Sequence, residues 1–205
     1  MAKTPPSEDA PRGPRGRPGS PRARLFLALD LPAEQRARIA AWRDEAIAGR
    51  DELRPVREEY LHATLVFLGY RPEKAIEEIA RVAFEAAGAL RAPSLAPAGI
   101  EAVPRRRPRL FALALEDEGG RAAALQTAAE AALADAGHHR PEKRPWWPHV
   151  TLARVKARAR AEPLEAPPPP AGSFAAPDVV LYRSLLRPEG ARYEALERVR
   201  LAAAG

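Results

Sequence analysis

Cysteine is absent from this chain of 205 residues, and no apolar run is long enough to cross a membrane. Without thiols, disulfide bonds, thiolate metal sites and cysteine nucleophiles are all excluded. A membrane-spanning helix would need about 20 consecutive apolar residues. Since no apolar signal-peptide core follows the first charged residues either, we expect a cytoplasmic protein with no membrane contact.

Lysine is scarce, because only four of the 33 basic residues are lysines and the others are arginines. The planar guanidinium group suits phosphate recognition, but a genome-wide composition bias would leave the same pattern. The net charge of +6 permits an anionic partner without requiring one.

The first 22 residues are rich in proline, glycine and arginine and carry five basic and two acidic side chains. Such a segment has nothing to bury, so residues 1–22 are predicted to form a disordered basic tail. The remaining residues, 23–205, are predicted to form a single domain.

Hydrophobic periodicity predicts strands and helices that alternate along this domain. Strands are expected at residues 24–30, 60–68, 94–103, 109–116, 148–155, 174–186 and 192–200, and helices at 33–49, 72–87 and, after Gly119-Gly120, 121–136. Each half contains an apolar strand, a helix and a further strand. The order predicts an α+β fold, with two sheets and helices packed outside them.

Two tetrapeptides of the same form stand out: His62-Ala63-Thr64-Leu65 and, 87 residues later, His149-Val150-Thr151-Leu152. Each lies in a predicted strand, where side chains alternate between faces, so the histidine and threonine of one motif share a face. They would be roughly 6.6 Å apart along the strand, close enough to contact one phosphate-sized group.

Two imidazoles on either side of a phosphate can act as acid and base, because histidine titrates near neutral pH. Phosphoryl displacement prefers attacking and leaving oxygens in line, which requires the two rings on opposite sides of phosphorus. The threonine hydroxyls would donate hydrogen bonds to the non-bridging oxygens. A single His-x-Thr would most simply be a partly buried structural histidine, but two copies favour a reaction site.

With these motifs the chain resembles the 2H phosphoesterase superfamily, and within it the bacterial and archaeal RNA 2′,3′-cyclic phosphodiesterases, also called 2′-5′ RNA ligases. The similarity covers residues 24 to about 199. It is carried by four segments: the opening strand 24–29, the two motif strands 61–69 and 144–154, and the final hairpin 181–193.

The resemblance implies a bilobal α+β fold, in which two pseudo-symmetric antiparallel sheets place the motifs face to face across a central cleft. It implies hydrolysis of RNA 2′,3′-cyclic phosphate ends, or of 2′,3′-cyclic nucleotides, to 2′-phosphomonoesters, together with reversible ATP-independent 2′-5′ ligation. We expect His62 as proton donor and His149 as proton acceptor, although the near-symmetry leaves the reverse open. Thr64 and Thr151 would bind the phosphate. We expect a monomer that uses no metal or other cofactor.

Other residues offer weaker indications. Trp146 and Trp147 replace the phenylalanine and variable residue that are usual in the family, and could stack on the terminal base or pack in the core. Arg105 and Arg107 lie in a basic loop that could contact RNA or simply be solvated. In a regular strand, Arg154 would face away from His149. His138 and His139 follow a helix end and are expected to do no chemistry.

Two alternative functions stay open from the sequence. One is a phosphodiesterase for a small cyclic nucleotide, such as an ADP-ribose cyclic phosphate. The other is a non-catalytic module that binds RNA ends, although binding alone would not need two titratable groups.

Overall fold

The computed structural model describes residues 21–187 and 190–203. Most of the predicted tail, residues 1–20, lies outside the described residues, and so do Pro188 and Glu189 of the predicted final turn. Within the described part, three α-helices, two single-turn 3-10 helices and nine strands follow one another. The α-helices are α1 (Ala33–Ala46), α2 (Ile76–Gly88) and α3 (Arg121–Asp135). The strands are β1 (Arg22–Asp30), β2 (Leu53–Pro55), β3 (His62–Pro72), β4 (Ser94–Val103), β5 (Leu110–Glu118), β6 (His149–Val155), β7 (Phe174–Ala175), β8 (Asp178–Arg187) and β9 (Gly190–Arg200).

The strands form one antiparallel sheet in the order β7-β4-β5-β6-β3-β1-β8-β9, and β2 pairs with β6. Two units are arranged alike, β1–α1–β3 and β5–α3–β6, each with a helix between antiparallel neighbours. The two halves of the sheet meet at a single residue pair, Ala63 opposite Val150. The two predicted sheets are therefore joined edge to edge, and their junction falls inside the two His-x-Thr motifs.

The main core lies between the helices and one face of the sheet. Leu25, Leu27 and Leu29 of β1 alternate with residues of the other face, and all three are fully buried. They pack in the same cluster as Ile39 of α1 and Ile79 of α2. Because the helices cover this face, the opposite face is left to line a cleft, where Phe26, Ala28, Val180 and Tyr182 form a smaller cluster.

Several elements depart from the sequence-based boundaries. β1 begins at Arg22, inside the predicted tail, and the helix expected from residue 72 begins at Ile76 because β3 runs on to Pro72. β3 continues past Gly69, which adopts a left-handed conformation (φ 68°) at a shift in its pairing with β1, so this glycine accommodates a bulge and does not stop the strand. The strand expected at 174–186 is broken at Pro177 into β7 and β8, which pair with β4 and β1 respectively. A short link thus joins the two halves of a strongly curled sheet.

No helix in the described ranges is long and apolar enough to span a bilayer.

Candidate active site

Both motif strands bulge at the same position. Leu65 has no opposite partner in β1, and Leu152 has none in β5. A bulge inserts one residue and resets the alternation of side chains. As a result, Phe67 and Arg154, each five residues after a motif histidine, return to the face that carries the histidines, and both line the cavity there.

The junction of the two halves brings the motifs together. Ala63 pairs with Val150 in antiparallel register, and this is the one residue pair that joins β3 to β6. In this register His62 lies across the junction from Thr151, and Thr64 lies across it from His149. We call these four side chains the square; they are related by an approximate local twofold axis, with the histidines at diagonal corners.

His62 is held on both sides of its ring. It stacks on Phe26 with ring centroids 4.8 Å apart, and Tyr193 packs edge-on at 5.2 Å. Nδ1 donates to the carbonyl oxygen of Tyr60 at 2.7 Å. Nε2 lies 3.1 Å from the Thr64 hydroxyl. The ring orientation is therefore fixed before any ligand binds.

His149 is held in the corresponding way. Its Nδ1 donates to the carbonyl oxygen of Trp147 at 2.8 Å, again two residues earlier, and its ring stacks on the Trp147 indole at 4.3 Å. Because a carbonyl oxygen can only accept, Nδ1 carries the proton in both histidines. In the neutral rings Nε2 is then the free lone pair.

Burial lowers the pKa of His62 to about 4, against the opposing effect of its hydrogen bond to Tyr60; the positive charges of His149 and Arg154 lower it further. Burial also lowers the pKa of His149, again opposed by its backbone hydrogen bond and assisted by Arg154. Both rings are accordingly neutral at pH 7 in the free protein. An anion bound between them would favour protonation.

Three of the four motif side chains, His62, Thr64 and Thr151, line a cavity of about 240 Å³, and His149 lies beside it. The lining residues that the structure describes come from both halves of the sheet and include no carboxylate: Arg24, Phe26, Val56, Tyr60, His62, Thr64, Phe67, Thr151, Arg154 and Tyr193. Arg24 donates to the Ser184 hydroxyl at 2.9 Å and lies 4.5 Å over the Phe67 ring. The cavity thus offers hydrogen-bond donors and positive charge, as an anion requires.

The placement of Arg154 corrects the expectation that it faces away from His149. That expectation assumed a regular strand, and the bulge at Leu152 reverses it. The sequence contained a signal for the bulge, since two consecutive apolar residues follow the threonine in both motifs, Leu65-Val66 and Leu152-Ala153. All four are buried, which a strictly alternating strand with one open face would not allow.

The two tryptophans have different surroundings. Trp146 packs against the main core, and its indole N–H donates to the carbonyl oxygen of Thr64 at 3.0 Å. It therefore links the second motif to the first. Trp147 is 36% exposed and covers one face of His149, so it leaves more aromatic surface open to solvent than the partly buried Trp146.

Arg105 and Arg107 lie outside the cavity of the square, in the turn between β4 and β5. They line a separate cavity of about 700 Å³ with other basic side chains, among them Lys156, Arg158 and Arg160. Sequence reasoning did not connect these segments, because they are about fifty residues apart along the chain.

His138 and His139 are also outside the square. His139 lies 3.1 Å from Glu130, and His138 lies 3.2 Å from Glu78. Among the residues that the structure describes, no three histidine or acidic side chains are grouped as metal ligands would be.

A pair of His-x-Thr motifs on facing strands of a curled antiparallel sheet, with helices on its outer face, defines the 2H phosphoesterase class. The chain belongs to the 2′-5′ RNA ligase superfamily, whose family model matches residues 31–185. The predicted family and the predicted α+β fold are thereby confirmed.

Individual relatives are similar over most of this chain. An RNA 2′,3′-cyclic phosphodiesterase of Thermus thermophilus is 35% identical over 87% of this chain and 90% of its own. A protein of the same name from Geobacillus stearothermophilus is 31% identical over 80% of this chain, which spans about half (52%) of that longer relative. The crystal structure of Escherichia coli LigT complexed with NADP+ is 29% identical and superposes with a TM-score of 0.70, covering 90% of this chain and 99% of LigT.

Proposed function

We propose that this protein is an RNA 2′,3′-cyclic phosphodiesterase, which opens the cyclic phosphate at an RNA end to a 2′-phosphomonoester. The observation that carries the proposal is the square of His62, Thr64, Thr151 and His149 around the sheet junction. The names of the relatives from Thermus and Geobacillus support the substrate class.

The cyclic phosphate would sit over the square. Its non-bridging oxygens would accept hydrogen bonds from Thr64 and Thr151, and Arg154 would balance their charge. The diagonal histidines then lie on opposite sides of phosphorus, as in-line displacement needs. To donate to a phosphate, the Thr64 hydroxyl must turn away from His62 Nε2, which frees that nitrogen for proton transfer.

We assign His149 as the base and His62 as the acid. His149 lies beside exposed Trp147, where water can approach, and its neutral Nε2 would accept a proton from that water. His62 lies among aromatic rings and would protonate the departing 3′ oxygen. The low pKa of His62 makes its protonated form uncommon but strongly acidic, and the anionic substrate would favour that form.

Two further contacts are part of the proposal. The exposed face of Trp147 would stack on a terminal base, an interaction that tolerates any base. Arg105 and Arg107, with the basic side chains of their cavity, would contact the phosphate backbone of a longer RNA. Such contacts would strengthen binding without changing the chemical step.

Ligation would be the same displacement with a ribose hydroxyl in place of water. His149 would accept the hydroxyl proton and His62 would protonate the 3′ oxygen, leaving a 2′-5′ phosphodiester. In the reverse direction the two histidines exchange roles.

The test is product analysis on a short RNA that ends in a 2′,3′-cyclic phosphate, with excess chelator present. We expect the 2′-phosphomonoester as the product, and loss of nearly all turnover in His62→Ala and His149→Ala, with the variants' folding checked by circular dichroism. Arg81→Gln, on the exposed side of α2, is prepared and assayed in the same way as a control and should keep the turnover of the parent protein. Near-normal turnover in either histidine variant would rule out the two-histidine mechanism, and tight binding without product would support the RNA-end binding module.

A further inference from the structure

A groove continues from the cavity that His62, Thr64 and Thr151 line, which we call the catalytic cavity. It has a volume of about 240 Å³, and four of its lining residues, Val56, Tyr60, Arg154 and Tyr193, also line the catalytic cavity. We call it the arginine groove. The described residues that line it are Arg54, Pro55, Val56, Arg57, Tyr60, Arg154, Gly190, Ala191, Arg192 and Tyr193.

The charged residues known to line this groove are all basic. Four arginines line it, contributed by β2, the segment that follows β2, β6 and β9, and no carboxylate is among the lining residues that the structure describes. Arg57 has an ion pair with Glu59 at the surface, with N and O atoms 2.7 Å apart. Arg192 is exposed, and within the described part of the chain its side chain has no hydrogen bond or ion pair.

The hydrogen-bonding chemistry favours a phosphate over a nucleobase in the groove. Guanidinium groups only donate, and phosphate oxygens only accept. Adenine and cytosine edges carry an amino donor, which guanidinium groups would leave without a partner, and only guanine offers two adjacent acceptors. A phosphate satisfies these groups whatever the base. Planar guanidinium groups from separate elements can also donate hydrogen bonds to one phosphate from several directions.

The position of the groove relative to the catalytic cavity indicates which phosphate group of the substrate would bind there. Arg154 and the Tyr60–Tyr193 pair, whose rings are 5.1 Å apart, form the shared wall. A nucleotide with its cyclic phosphate over the square can therefore extend its next anionic group into the groove. On a ribose whose 2′ and 3′ oxygens carry the cyclic phosphate, that group is attached to the 5′ oxygen.

We infer that the arginine groove binds the 5′-phosphate group of the terminal nucleotide, with Arg192 as its principal contact. In an RNA this group is the last internucleotide phosphodiester, and in a mononucleotide it is a phosphomonoester. The inference rests on the proposed function, since it takes the position of the cyclic phosphate from it.

Three substrates test the inference: adenosine 2′,3′-cyclic phosphate, the same compound with a 5′-phosphate, and the dinucleotide ApA with a terminal 2′,3′-cyclic phosphate. We expect the 5′-phosphate to raise kcat/KM by about tenfold, the effect of one hydrogen bond to a charged group. The dinucleotide should gain similarly. Arg192→Gln should reduce both gains to about threefold or less. Arg81→Gln, which removes the same charge from the exposed side of α2, should retain them.

The outcomes are distinct. Equal kcat/KM for the compounds with and without the 5′-phosphate would overturn the inference and leave the proposed function standing. A gain in kcat/KM that persists in an Arg57→Gln/Arg192→Gln double variant would also overturn the inference. A gain seen only with the dinucleotide, and unchanged in Arg192→Gln, would overturn it as well, because the protein would then recognise the second nucleoside and not the 5′-phosphate. If the parent protein hydrolyses none of the three, the proposed function fails and the inference falls with it.

Discussion

The buried histidine of the first motif should make the stability of this protein depend on pH. His62 has a pKa of about 4 in the folded protein, whereas an unfolded chain has the ordinary histidine value of about 6.5. Between these values the unfolded state binds more protons than the folded state. The contribution of His62 to the free energy of unfolding is therefore greatest above pH 6.5 and decreases as the pH falls towards 4.

The size of the loss follows from the two pKa values. A histidine pKa lowered from about 6.5 to about 4 reduces the free energy of unfolding by about 3.4 kcal/mol once the titration is complete. At pH 4.5 the reduction is about 2.5 kcal/mol. The ring keeps some exposure on the cleft side, where water reduces the penalty for charge. We therefore expect a loss between about 1 and 2.5 kcal/mol from His62 between pH 7.5 and pH 4.5.

The measurement compares the parent protein with His62→Gln, which cannot titrate. Urea unfolding is followed by tryptophan fluorescence at pH 7.5 and 4.5, at constant ionic strength and without phosphate. The free energy of unfolding of each protein at pH 4.5 is subtracted from its own value at pH 7.5, so that the pH-independent cost of the substitution cancels. Acid titration of carboxylates affects both proteins alike. An equal drop in the two proteins would refute the assignment of a lowered pKa to His62.

Three further substitutions have expected outcomes. Arg154→Gln should lower kcat/KM by about 100-fold, the effect of losing one charge-stabilising donor. It should also move the pH–rate profile to higher pH, because the positive charge of Arg154 lowers the pKa of both motif histidines in the parent protein. An unchanged profile would contradict this. Trp146→Phe should cost about 1–2 kcal/mol in the free energy of unfolding, because the Thr64 carbonyl loses its donor, whereas Trp147→Phe should cost less. Asp30→Asn should cost about 2–4 kcal/mol, since a buried carboxylate between Arg36 and Arg198 loses its charge; a cost equal to that of Arg198→Met, at a half-exposed partner, would argue against burial as the cause.

The sequence was sufficient to predict the elements that carry the site. Strand and helix patterns depend on local periodicity, and the helices α1, α2 and α3 lie where apolar residues recur at helical spacing. The two His-x-Thr motifs were also found without structural information, because a repeated pattern of polar residues in apolar strands is rare. What local periodicity cannot give is the partner of each strand, and thus the single pair that joins the two halves of the sheet.

Most of the residues that sequence reasoning missed depend on non-local geometry. Arg154 is the exception, because the two consecutive apolar residues before it, Leu152 and Ala153, are a local sign of the bulge. The arginine groove, in contrast, needed β2 and β9 to be placed near β6. Tyr193 reaches His62 from the last strand, across a difference of more than 130 positions in the chain. Such contacts follow from the curl of the sheet, which no local pattern records.

The equivalent bulges also introduce an asymmetry into a nearly symmetric site. The four motif side chains, the two backbone carbonyls that hold Nδ1, and the bulges themselves obey the local twofold axis. The first residue returned to the site face by each bulge does not, since it is Phe67 in one half and Arg154 in the other. The Arg154 charge therefore has no counterpart at the equivalent position of the other half, where Arg24 lies over the Phe67 ring. Because Arg154 also lines the arginine groove, it lies on the side on which the proposed nucleotide chain would continue. Exchanging these residues, in a Phe67→Arg/Arg154→Phe variant, should keep the square but move the charge, and the 5′-phosphate gain measured above should then disappear even where cyclic phosphate hydrolysis survives.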